Sequence, residues 1–222
     1  MPVTQAMRFL SPGLVACALA ACSPQADAPY ETVEIHPYLE DAVLGDAKAP
    51  VTIVEYASTT CHGCYRLHTE LMPDIKSTYI DTGKVKLVYR VLPTPPEDVS
   101  LAGAAIARCA GKDRFFEVIA DLFENQPKIL SAARTGSAGA EILKVGARHG
   151  LSRNEVRTCV ADKTIHEYTI KVAKAAPEFV THTPSLIVNG AYIEHNTRES
   201  VLAMIDSKVA EATAGHTAET SP

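Results

Sequence analysis

A β-branched run, Val51-Thr52-Ile53-Val54-Glu55-Tyr56, stops four residues short of Cys61-His62-Gly63-Cys64, and a helical pattern starts inside that motif. The run has strand length and follows the turn-like segment Gly45 to Pro50. Beyond Cys64, apolar Leu67, Leu71 and Ile75 recur at i, i+4 and i+8, the period of one helix face. Pro73 lies inside that pattern and predicts a kink there. Val85 to Leu92 reads as a second strand, closed by Pro93, Pro95 and Pro96.

The stretch from Val99 to Lys163 reads as helical throughout. Its apolar stripes are Ala104 to Cys109, Phe115 to Phe123, Ala140 to Arg148 and Asn154 to Val160, punctuated by Gly111, Gly136 and Gly150. A further helix is predicted from Thr164 to Ala176. Strand character returns at Ser185 to Val188. Asn189-Gly190 then separates it from Ala191 to Glu194, a strong hairpin signal because both turn residues need positive φ. Asn196 and Glu199 read as an N-cap pair opening a last amphipathic helix, Val201 to Val209. A βαβ start and a ββα finish predict one α/β fold with a mixed central sheet, interrupted by a helical insertion. The expected boundaries are 43–98 and 164–210 for the two halves, 99–163 for the insertion and 211–222 for a polar tail.

The first residues read as an export signal. Arg8 precedes the largely apolar stretch Phe9 to Ala21. That stretch is short for a membrane span, which takes about 20 apolar residues, and suits a signal core over residues 1–21. Leu19-Ala20-Ala21-Cys22 resembles a bacterial lipobox, so Cys22 is the expected lipidation site; an ordinary signal cleaved after Ala18-Leu19-Ala20 is the alternative. Residues 22–42 then form a tether and lead-in. A net charge of −5 shows no basic excess and argues against nucleic acid as a partner.

Export changes how the cysteines read. Cys17 and Cys22 belong to the signal and anchor, leaving Cys61, Cys64, Cys109 and Cys159 in the folded part. In an oxidising compartment four thiols can form two disulfides. Cys61 and Cys64 are close enough to pair across one helical turn, which leaves Cys109 for Cys159. A structural disulfide there would contribute roughly 3–5 kcal/mol; two buried free thiols or a second redox pair are the alternatives.

The chemistry centres on the motif. Cys61 falls at a helix N-terminus, where unpaired N–H groups and the helix dipole favour a thiolate, and a protonated His62 would add to that. Cys64, one turn on, is placed to attack a mixed disulfide at Cys61. A static Cys61–Cys64 staple is the bland alternative, weakened by how short a loop it would close.

Val54-Glu55-Tyr56-Ala57-Ser58, the Cys-x-x-Cys motif and the block Thr183-Pro184-Ser185 to Asn189-Gly190 together resemble the DsbA-like thiol–disulfide oxidoreductases, over about Val43 to Val209. The resemblance implies a thioredoxin-type fold with a helical insertion, Cys61 as nucleophile and Cys64 as resolving thiol. It implies Pro184 as a cis-proline beside the dithiol, where an ordinary trans proline opening an edge strand is the alternative. Thr183 would offer its backbone to an extended substrate. A second disulfide occupies the insertion of some relatives. Many members carry Pro-His between the cysteines, whereas this chain has His62-Gly63, a pair that tunes the redox poise.

Three more residues are candidates. Glu55, six residues before Cys61, would exchange protons with the dithiol if buried, or would merely face solvent. His182, in the proline loop, is a candidate substrate contact, and His68 reads as a solvated surface residue. No cofactor beyond the redox-active disulfide is expected. The expected partners are exported proteins with cysteines and a DsbB-like, quinone-linked membrane protein, with the chain itself a periplasmic, lipid-anchored monomer. The direction of exchange stays open between oxidase, reductase and isomerase, the short lead-in favouring an oxidase over a dimeric isomerase. A second class is Cu(I) or zinc handling through the thiolates with His62 or His68. A scaffold without catalysis leaves the dithiol unexplained.

Overall fold

A computed structural model describes residues 33–219. The export segment 1–21, Cys22 and the first part of the tether lie outside the described residues. Five strands form one sheet in the order β1-β3-β2-β4-β5. The central strand β2, Val51–Ala57, runs parallel to β3, Val85–Val91, with Val51 opposite Val85 and Ala57 opposite Val91. Such a pair demands a crossover. Helix α1, His62–Arg66, begins it, and α2, Met72–Ile75, continues it. Strand β4, Ser185–Val188, lies antiparallel on the other side of β2 and turns into β5, Ala191–Tyr192, shorter than its sequence suggests. At the turn Asn189 has φ 45° and Gly190 φ 85°. The Asn189 Oδ1 also accepts the Thr52 N–H at 2.8 Å, which ties the hairpin to β2.

The fold is the α/β class expected from the sequence, with two departures, an added strand and a longer last helix. Strand β1, Ala42–Leu44, is too short to show a pattern, yet it pairs antiparallel with β3. At Pro73, where the sequence predicts a kink, the helix runs on with its geometry altered. The proline has no N–H for the Thr69 carbonyl, and the chain absorbs this as two π-turns, Leu67–Leu71 and Lys76–Ile80, flanking α2. The Met72 N–H accordingly reaches back five residues to the Leu67 carbonyl. The last helix, α9, spans Arg198–Glu219, longer than its apolar pattern, because no helix-breaking residue precedes Gly215. Among the described residues no helix is long and apolar enough to cross a membrane.

Three apolar clusters line the sheet. Towards the start of β2, Val51, Ile53, Val85, Leu87 and Leu186 pack with Leu67, Leu71 and Ile75 and with Val201 and Ile205 of α9. On the same face, towards the end of β2 that carries the motif, Ala57, Tyr89 and Val91 meet the insertion: α3 (Glu97–Cys109), α4 (Phe115–Glu124), α5 (Gln126–Ala133), α6 (Ala138–Arg148) and α7 (Arg153–Ala161). The opposite face carries Tyr56 and Ile187, packed with Val180. Gly111, Gly136 and Gly150, at φ 85°, 71° and 81°, follow the helices that they end. Helix α8, Lys163–Lys174, capped by the Asp162 side chain, leads back to β4.

Gly146 makes the α6–α7 approach possible, since a Cβ there would stand 2.4 Å from Val156 Cγ2. Gly146→Ala should therefore destabilise the protein by about 1–2 kcal/mol, overpacking outweighing the gain in helix propensity. A urea midpoint equal to or above wild type would show that the two helices separate freely.

Candidate active site

Strand β2 delivers the chain to a buried loop, Ser58 to Thr60, in which the Ser58 and Thr60 hydroxyls are hydrogen-bonded. The Ser58 hydroxyl pairs with Thr60 Oγ1 at 2.9 Å and with Ser100 Oγ of α3 at 2.8 Å. Thr60 Oγ1 also meets the Thr94 carbonyl at 2.8 Å. From the insertion, buried Gln126 donates from Nε2 to the carbonyls of Thr59, 2.8 Å, and Cys61, 3.0 Å. The insertion thus grips the loop that presents the first cysteine.

Cys61 is the N-cap of α1, with extended backbone angles. Its Sγ accepts the Cys64 N–H at 3.4 Å and donates to the Thr183 carbonyl at 3.2 Å. The Thr183–Pro184 bond is cis. The Cys61 thiol is lowered to about 5. Hydrogen bonding from the Cys64 thiol leads, followed by the Thr183 side chain and the N–H groups of Cys64 and Gly63, and together these outweigh burial. Cys64 is fully buried, and its thiol is pushed far up by burial first, then by its bond to Cys61 and the charges of Cys61 and Glu55. Both sulfurs are free thiols.

Gly63 has a steric role. A Cβ there would stand 2.9 Å from Pro184 Cδ, so the glycine lets the proline loop close onto the motif. That loop is held from beyond by Asn196, whose Nδ2 donates to the Pro184 carbonyl at 2.7 Å. Asn196 is therefore not the cap of α9. Thr197, adjacent to the helix, accepts the Ser200 N–H instead, at 3.2 Å. His62 is exposed and stacks on Tyr65, ring centroids 5.9 Å apart. His182 is exposed, and its carbonyl accepts from Ser185 Oγ at 2.8 Å.

The carboxyl of Glu55 is fully buried. Its oxygens lie 2.9 and 3.1 Å from His68 Nε2. The surface position expected for His68 is wrong: its side chain is only 8 % exposed and stacks on Phe123 at 4.2 Å. The reason is its place on the helix: His68 lies one turn beyond buried Cys64 and shares its face, where Glu55 and Phe123 enclose it. Cys109, at the end of α3, and Cys159, in α7, form a disulfide with Cα atoms 6.3 Å apart. Gln126 gave no signal in the sequence, and Asn196 read there as a helix cap, because each acts by donating to a main-chain carbonyl well removed along the chain, which leaves no local pattern.

Residues 39–207 match the family model described as Thioredoxin. The chain belongs to the thioredoxin family. Within that family it is DsbA-like. The crystal structure of Wolbachia pipientis alpha-DsbA1 superposes with a TM-score of 0.70 at 26 % identity, over 81 % of this chain and 96 % of that one. BdbD from Bacillus subtilis shares the fold, with a TM-score of 0.63 at 21 % identity, over 82 % of this chain and 100 % of BdbD. A Rickettsia bellii protein, provisionally named protein-disulfide oxidoreductase, is 32 % identical over 78 % of this thioredoxin-family chain and 66 % of its own length. The chain thus spans slightly under two thirds of the length of the first such relatives.

Proposed function

We propose that this chain is a thiol–disulfide oxidoreductase of the bacterial envelope that donates the Cys61–Cys64 disulfide to exported proteins. The inequality of the two sulfurs carries the reading: Cys61 is reachable and stabilised as thiolate, while Cys64 is sealed in and holds its proton. A client thiolate attacks Cys61 of the oxidised pair, the S–S bond breaks, and Cys64 leaves with the electron pair and takes up a proton. A second client thiolate then attacks the client's sulfur in the mixed disulfide. The client disulfide forms, Cys61 departs as thiolate, and two electrons have passed from client to dithiol. An extended client segment would lie along the Thr183–Pro184 loop, beside the nucleophile and within reach of His182.

Stabilising the Cys61 thiolate stabilises the reduced form, which favours giving the disulfide away. Glu55, buried and within electrostatic reach of Cys64, is the group that exchanges its proton. Turnover needs an oxidant, and a DsbB-like, quinone-linked membrane protein fits this role. Residues 1–21 would direct export, and lipidation at Cys22 would hold the chain, as a monomer, at a membrane facing the periplasm. A reductase would run the same residues in reverse.

Equilibration in glutathione buffers, with alkylation and mass spectrometry, separates the directions. A potential above about −200 mV is the expected result, and a value near −270 mV, as in thioredoxin, would reverse the direction.

A further inference from the structure

The Glu55–His68 pair has a second side. His68 lines a cleft of about 620 Å³ between the π-turn and α2 on one side and α4 on the other, and none of Cys61, Cys64, Thr183 and Pro184 lines it. The imidazole is fixed: Nε2 faces both Glu55 oxygens, Phe123 stacks on one face and the Tyr89 ring stands edge-on at 5.9 Å. Nδ1 has no hydrogen-bond partner among the described residues. On the inner side Glu55 is enclosed in the sheet and has no other hydrogen-bond partner there, so proton exchange between solvent and the carboxyl goes through the imidazole.

We propose that His68 is the proton port of the dithiol, passing protons between Glu55 and the cleft on a side of the molecule away from the client. This rests on the exchange reading above and adds to it a route and a residue. When Cys64 attacks a mixed disulfide at Cys61, the Cys61–Cys64 bond forms, the bond to the departing sulfur breaks, and that sulfur leaves with the electron pair. With the ring in its Nδ1–H form, Glu55 takes the proton shed by Cys64 as it passes its own to Nε2, and Nδ1 releases a proton into the cleft. An imidazole with one nitrogen on each side relays a proton without moving. The titratable groups against His68 are Glu55 from β2 and Tyr89 from β3, whose ring stands edge-on to the imidazole and whose buried hydroxyl has no hydrogen-bond partner among the described residues; Cys64 of α1 is in electrostatic reach of both. At the cleft Lys76, Lys112, Asp113, Glu117 and Glu124 supply charges of both signs, suited to exchange with bulk water.

The test follows the resolving step alone. A Cys61–glutathione mixed disulfide is prepared by pulse oxidation of the reduced protein, and glutathione release is timed from pH 5 to 8. His68→Gln keeps a donor for Glu55 but cannot relay, and should slow release on the order of 100-fold while the alkylation midpoint of Cys61 stays in place. Free imidazole should restore release in His68→Ala. The second variant leaves the pair intact: Ala120→Phe plugs the cleft from an exposed position on α4 and should slow the same step. Wild-type release rates in both His68→Gln and Ala120→Phe would overturn the proposal while leaving the exchange reading standing. A wild-type dithiol that forms no mixed disulfide at all would sink both.

Discussion

Iodoacetamide will modify reduced Cys61 with a midpoint near pH 5 and will leave Cys64 unmodified in the folded protein. The thiolate is the nucleophile. At pH 7 a thiol titrating near 5 is about 99 % thiolate, whereas one at the ordinary value of 9 is about 1 %, so the reactive fraction differs roughly 100-fold. A depressed pKa stabilises the reduced protein above that pKa, and the effect vanishes as pH falls through about 5. At pH 7 two of the four units between 5 and 9 are realised, at most about 2.7 kcal/mol before water around a half-open sulfur screens it. That is no more than about 60 mV of added oxidising power. The reduced form should therefore melt higher than the oxidised form at pH 7, with the gap closing towards pH 5. A midpoint of 8 or above would show that Cys61 is an ordinary thiol. Cys64→Ala should raise the Cys61 midpoint, because the leading donor to that thiolate is gone, and should stop turnover and accumulate the client mixed disulfide, since no internal thiol remains to release it.

What the sequence revealed, and what it hid, divides by distance along the chain. The β2 run, the motif at the start of α1 and the Asn189-Gly190 hairpin are legible because each signal is carried by adjacent residues obeying one period or one turn geometry. The face that His68 takes was legible, one turn beyond Cys64; its burial was not, because Glu55 of β2 and Phe123 of α4, which enclose it, are brought there only by the fold. Gln126 and Asn196 were hidden because each serves a carbonyl 65 or 12 residues away. Strand β1 was hidden because three residues carry no period, and only β3 gives them a partner. The local motif names the chemistry; the long-range contacts set its geometry.

Arg108 makes the same point in the core and carries the largest expected change in stability. It sits in a stripe of apolar residues on α3 and is only 2 % exposed, so no surface role fits it. Its Nη1 donates to the carbonyls of Tyr38 at 2.9 Å and Glu40 at 2.5 Å, while its own carbonyl accepts the Tyr38 N–H at 2.9 Å. The guanidinium stands over the rings of Tyr168, Phe115 and Tyr38 at 4.6, 5.1 and 5.7 Å. Burial lowers its pKa, with the neighbouring tyrosines and Asp41 acting against that. A planar cation can bridge two carbonyls and stack between rings together, so this one side chain clamps the lead-in before β1 to α3, the start of α4 and α8. Arg108→Ala would strand two carbonyls and open a cavity among the rings, costing about 3–5 kcal/mol, roughly a 10 °C lower Tm for a chain of this size. Arg108→Lys should recover little, because an ammonium cannot reproduce the flat stacked fork. Protease should then cut first in residues 33–41 of the Arg108→Ala protein, before any cut in α3. A urea midpoint within about 1 kcal/mol of wild type would mean that the rings close over the gap and hold the lead-in without the cation.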